Sequence, residues 1–264
     1  MLLKKSLTIL TLLTSLVYSC EPECRHGVAK AFAESYKPVV YDTVDRLQVI
    51  LKENLFTKDE DVPEEISSVV PVKAIHENII STTQKTLKEF AYRATEKQLE
   101  DGIFSVMFQE QDPFKGDCNN PKRLERKMPP PGVSWTLEEC SKMDYICGNP
   151  PSICYHLEMV KGRILGRIES QLTDHATFDN GLLVHSLVQN IKKSLHSVMV
   201  HYGAGSMTDG VAVIDYANRL VSNTIRSLDI WAKQDLKSIC KGDNASTHCT
   251  GWDDHIKAEI LQWP

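Results

Sequence analysis

The sequence predicts an all-α fold: a multi-helix, bundle-like secreted domain with a Pro/Cys-rich irregular central loop, cross-linked by disulfides. Three observations lead there. Apolar residues recur every three or four positions rather than alternating, which is the helical period. A stretch from 111 to 152 is too rich in proline and glycine for regular structure. Eight cysteines, an even number, follow an N-terminal segment of export type.

That segment comes first in the chain. Lys4 and Lys5 precede an apolar run from Leu7 to Val17, then Val17-Tyr18-Ser19 before Cys20. A charged start, a short apolar middle and a small residue at the cut describe a signal peptide over residues 1–19. A membrane-spanning helix needs about 20 apolar residues, roughly twice this run, so no transmembrane segment is expected in the mature chain. Leu16 to Cys20 also fits a lipoprotein box, and the alternative to secretion is a lipid anchor on Cys20. Cysteine parity favours simple cleavage, because lipidation would leave seven. Loss of Lys4 and Lys5 leaves 28 basic residues against 35 acidic ones (28 − 35 = −7). An acidic protein repels nucleic acid, which is excluded as a default partner.

Residues 20–264 are read as one helical domain. Its first stripe runs from Val28, Phe32 and Tyr36 through Val44, Leu47 and Leu51 to Leu55, and Pro38 is expected to kink or split it. An acidic connector with prolines, 58–71, leads to a second helix over about Val72–Met107, with Ile75, Ile79, Leu87, Phe90, Ala94 and Ile103 inward. The insert at 111–152 has room for one short helix, Ser134 to Ile146. Helices resume at Tyr155–Leu172 and Leu182–Tyr202. Gly203 and Gly205 stop the latter. Ser206, Thr208 or Asp209 then starts a helix reaching about Cys240, and a short amphipathic piece from Trp252 to Trp263 closes the chain.

Cys20, Cys24, Cys118, Cys140, Cys147, Cys154, Cys240 and Cys249 are all disulfide candidates, since an export signal implies an oxidising compartment. No Cys-x-x-Cys occurs, which removes the usual zinc half-site. Eight cysteines allow 105 pairings, and only Cys240 with Cys249 looks locally natural, closing the segment 241–251. Inside it stands Asn244-Ala245-Ser246, the chain's one glycosylation sequon.

Catalytic and metal signals are sparse. No His-x-x-x-His occurs, and His185 and His196 on one helix would stand roughly 16 Å apart, so no metal and no cofactor is expected. Asp174, His175 and Asp179 form a small polar cluster where a helix begins, a pattern shared by caps and by acid–base sites. Lys122-Arg123 is a basic island, read as a solvated patch or a processing site. The expected function is a secreted non-catalytic extracellular protein contacting a protein, a glycan or an apolar ligand. The alternative is a secreted helical hydrolase with its polar site near residues 174–196.

Overall fold

The computed structural model describes residues 22–56, 62–105, 126–127, 131–133, 145–147, 154–177, 181–241 and 246–249. The signal segment, Lys122-Arg123, Asp179, Asn244 and the amphipathic piece after Trp252 lie outside them, as do Cys20, Cys118 and Cys140. The described residues are mostly helical and fall into two compact units. One draws on 22–35 and 100–164, the other on 36–99 and 165–249. No helix among them is long and apolar enough to cross a membrane.

Helix α1 spans Pro22–Leu55 without a break. Of the two outcomes expected at Pro38, a kink or a split, the split does not occur. An internal proline costs about 3 kcal/mol, and burial of one large apolar side chain returns about 1.5–3 kcal/mol. Phe32 and Tyr36 before the proline, and Val39, Val40, Val44, Leu47 and Leu51 after it, are all buried. The short helix α2 (Glu64–Ser67) buries Ile66. Helix α3 (Val72–Arg93) passes through a wide π turn, Ala94–Leu99, into α4 (Glu100–Phe104), close to the span read from the sequence.

In the first unit the His26 ring stacks on Phe104, with centroids 4.2 Å apart, and its Nδ1 lies 3.7 Å from Glu100 Oε1. The Pro/Cys-rich insert is less irregular than its composition implies. Three short strands, β1 (Arg126–Lys127), β2 (Tyr145–Cys147) and β3 (Cys154–His156), form an antiparallel sheet in the order β1-β3-β2. This corrects the end of the short helix expected over Ser134–Ile146, whose residues 134–144 lie outside the described ones. Tyr-Ile-Cys and Cys-Tyr-His flank Gly148-Asn149-Pro150-Pro151, so β-formers bracket a turn signal, and that pattern outweighs a weak helical one. Cys147 and Cys154 are direct cross-strand partners.

The second unit is built of helices. Besides most of α1 and all of α3 it contains the later turns of α5 (Leu157–Ala176), then α6 (Leu182–His201) and α7 (Val211–Ile230). Leu187, Ile191, Leu195 and Val198 of α6 are buried as the periodicity implies, whereas Tyr202 is exposed. Gly203 ends α6 at φ +77°, with Ala204 N–H donating to Met199 O and Gly203 N–H to Val200 O. That is the Schellman arrangement, whose left-handed residue is most readily glycine. The start of α7 differs from expectation. Gly210, not a Ser, Thr or Asp side chain, sits at its N-cap, and the Thr208 hydroxyl bonds Gly205 O instead.

Beyond α7 a π turn (Trp231–Asp235) and a 3-10 turn (Leu236–Ser238) rotate the chain so that Trp231, Leu236 and Ile239 are all buried. Cys240 and Cys249 are joined, with Cα atoms 5.6 Å apart, as their spacing led us to expect.

Candidate functional site

Two concavities in the second unit merit a chemical reading, and the sequence pointed only to one. His175 stands in the last turn of α5, half-buried, and its Nε2 lies 3.2 Å from Gln98 Oε1 in the π turn. An amide oxygen only accepts, so Nε2 carries the hydrogen. The π turn widens the helix by one residue, a feature recurrent at functional sites, and here it is tied to α1. Lys37 Nζ reaches Glu96 Oε1 at 2.8 Å, and Thr95 Oγ1 lies 3.2 Å from Tyr41 Oη. Phe90 meets the imidazole edge-on at 5.6 Å. A recess of about 70 Å³ opens beside them, walled also by Arg93, Leu183 and Asn190.

Of the expected cluster, Asp174 is exposed on the same helix and Asp179 lies outside the described residues. His185 and His196 are exposed on α6, away from the recess lining. Among the described residues no three His, Cys, Asp or Glu side chains gather into a metal-binding group.

Sequence reasoning missed the polar seam joining α3 to α6. Ser194 hydroxyl donates to Asn78 Oδ1 and lies 3.2 Å from Thr82 Oγ1, while Asn190 Nδ2 donates to Thr86 Oγ1 at 2.9 Å. Its signal was present: Asn78, Thr82 and Thr86 recur at intervals of four on α3, as do Asn190 and Ser194 on α6, each among apolar positions. Ser194 and Thr86 are buried and partnered, Thr82 and Asn190 partly so, and such satisfied polar groups help fix the register of two packed helices.

Burial lowers the His175 pKa below the ordinary histidine value, and the nearby Asp174 carboxylate opposes this only in part. The consequence for stability has a definite sign. The unfolded chain takes up this proton near pH 6.5 while the folded one does so only lower, so stability is full above that pH and falls as the pH drops through the folded value. Urea unfolding at pH 7.5 and pH 5 is expected to show a larger loss on acidification for the wild type than for His175→Gln. Equal losses would contradict the assignment.

The second concavity is a cleft of about 620 Å³ where the end of α1 and the start of α3 meet α7. On one wall the Phe56 ring stacks on His76, centroids 3.8 Å apart and 28° from parallel. On the other, Tyr216 lies beneath the Arg219 guanidinium at 5.6 Å. Asn218 and Ser222 project exposed from α7 along the rim, and Asn223 Nδ2 reaches back to Leu55 O at 3.4 Å, occupying a terminal carbonyl of α1. Three rings, two leucines and several polar or charged groups, Asp215 and Arg219 among them, line the cleft, and its volume lies within the usual 300–1,000 Å³ or so of a small-molecule site. Comparison with protein-family models, with curated proteins and with solved structures finds no match to this chain.

Proposed function

We propose that the chain is a secreted, non-catalytic protein that binds a small ligand with a planar apolar body in the cleft between α1, α3 and α7. One observation carries the reading: the cleft has the volume of a ligand, and one stacked aromatic pair and one cation–π pair stand in its lining. Export is supported by the leader over residues 1–19 and by the Cys240–Cys249 bond, which suits an oxidising compartment. A glycan at Asn244 belongs to the same reading, and a lipid anchor on Cys20 remains its alternative.

Anilinonaphthalene sulfonate, a planar aromatic anion, serves as the probe. The folded chain is expected to bind it saturably at one site, and Ser222→Trp, which fills the cleft from an exposed position, is expected to weaken binding at least about tenfold, roughly 1.4 kcal/mol. Helical circular dichroism and melting should be unchanged. Non-saturable binding, or binding indifferent to Ser222→Trp, would refute the site.

The hydrolase reading near 174–196 keeps one observation in its favour, the burial that lowers the His175 pKa and favours the neutral imidazole a base requires. Against it, the ring's described partner is a neutral amide, and the adjoining recess is about nine times smaller than the cleft. Turnover of an ester, amide or glycoside abolished by His175→Ala would replace the binding reading.

A further inference from the structure

The junction between α6 and α7 presents an exposed apolar surface. Val200 and Tyr202 at the end of α6 and Val211 and Ile214 at the start of α7 are all exposed, Val211 at 75 % and Val200 at 52 %, and Met207 in the 3-10 turn between them is partly so. The backbone holds this end in a formed turn. Met207 N–H donates to Ala204 O at 3.0 Å, Gly210 N–H donates to Met207 O at 2.8 Å, and Ala204 is buried.

Charge is sparse here and one-sided. In a chain of which 25 % is charged, residues 194–214 hold one formal charge, Asp209. Helix α6 carries Lys192 and Lys193, both exposed, and no acidic residue. Helical rise sets these lysines about 10–12 Å behind Val200. A surface with so little charge gives up its water at low cost. A protein partner would cover about 20–30 residues a side, whereas five apolar side chains make up this surface. Apolar groups that enter a membrane interface sink only about 5–10 Å into the headgroup boundary, so a small cluster serves. Tyr202 has the apolar body and hydroxyl tip suited to that boundary. Lysines standing that far behind the tip meet the headgroup layer.

We propose that this junction docks the protein on a lipid bilayer containing anionic headgroups: Val200, Tyr202, Met207, Val211 and Ile214 enter the interface, and Lys192 and Lys193 meet the headgroup anions. The chain's net charge of −5 does not prevent this, because charges more than about 8–10 Å away are largely screened at physiological salt. Asp209 opposes docking locally. The surface is distinct from the ligand cleft, whose α7 lining begins at Asp215.

The test is co-sedimentation with phosphatidylcholine vesicles, with and without phosphatidylserine. Residues 20–264 are used, because the apolar leader would itself bind lipid. Binding to the phosphatidylserine vesicles should be several-fold tighter than to phosphatidylcholine alone, and added salt should narrow the difference. Val211→Asp with Ile214→Asp should weaken binding at least about tenfold, with circular dichroism and melting unchanged, since both positions are exposed. Val211→Ser, a milder change, should weaken it a few-fold. Lys192→Glu with Lys193→Glu should abolish the preference for phosphatidylserine, and Asp209→Asn should raise that preference a few-fold.

No binding to either vesicle would overturn the proposal, as would binding indifferent to the apolar substitutions in a chain that stays folded. A preference for phosphatidylserine that survives loss of both lysines would also overturn it. Self-association abolished by Val211→Asp with Ile214→Asp, without vesicle binding, would assign the surface to a second copy of the chain instead.

Discussion

Trp231→Ala is expected to destabilise the protein by about 3–5 kcal/mol, the range for deleting a large aromatic side chain from a packed core. Trp231 has no exposed surface, and its Nε1–H donates to Thr43 O at 2.8 Å across 188 residues of sequence. The indole therefore fills volume and also fixes the end of α7 against α1. The wide turn that begins at Trp231 depends on this anchor, because a π turn lacks the regular helical bond pattern and is held by what it packs against. Against a total stability of about 5–15 kcal/mol, the loss would bring the chain near its unfolding threshold. Trp231→Phe should cost less, since most of the volume stays and the Thr43 carbonyl remains inside its helix. Urea unfolding measures both, as a fall in midpoint at unchanged slope. A cost below about 1 kcal/mol for the alanine variant would show that the indole is not part of the core.

Those same residues show what the sequence makes legible. The inward positions of α1 and α6 were readable because helical burial repeats every three or four residues, and Val44, Leu47, Leu51, Leu187, Ile191 and Leu195 obey that rule with local information alone. Gly203 was readable for a similar reason, since the left-handed turn favours the residue lacking a Cβ. Pro38 does not split α1 because its penalty is local while the burial that offsets it comes from the fold as a whole. β2 and β3 were missed because Tyr145 and Ile146 were read into a short helix and Tyr155 and His156 into the start of the next, although their β-formers flank a turn.

The cleft was not legible at all. Phe56 and His76 come together with Tyr216 and Arg219 from about 140 residues further along the chain, and no local period encodes such a meeting. His175 was expected where a helix begins but stands in the last turn of one, and its partner Gln98 is 77 positions away, in a turn whose width depends on packing.

Removing the C-terminal cross-link should have the next largest effect. In the chain-entropy account, a disulfide closing a loop of about ten residues contributes about 2.5–3 kcal/mol through restriction of the unfolded state. The separation of Cys240 and Cys249 is nine residues, so the paired substitution Cys240→Ser with Cys249→Ser should cost about that amount in guanidinium unfolding. The loss need not be global. Beyond the cross-link, the loop is held by the Ser246–Asp42 contact and by the backbone bonds from Ser246 N–H to Ile239 O and from Cys249 N–H to Ser246 O. Those two amides should lose protection from hydrogen exchange by up to about a hundredfold, the ratio equivalent to about 2.7 kcal/mol, while amides in the middle of α6 keep theirs. Asp42→Ala in the same background should then add less than it costs alone, because the cross-link and the carboxylate restrain one loop. Strict additivity, or protection lost equally in α6 and the loop, would show that the cross-link stabilises the whole unit rather than the segment that carries the sequon.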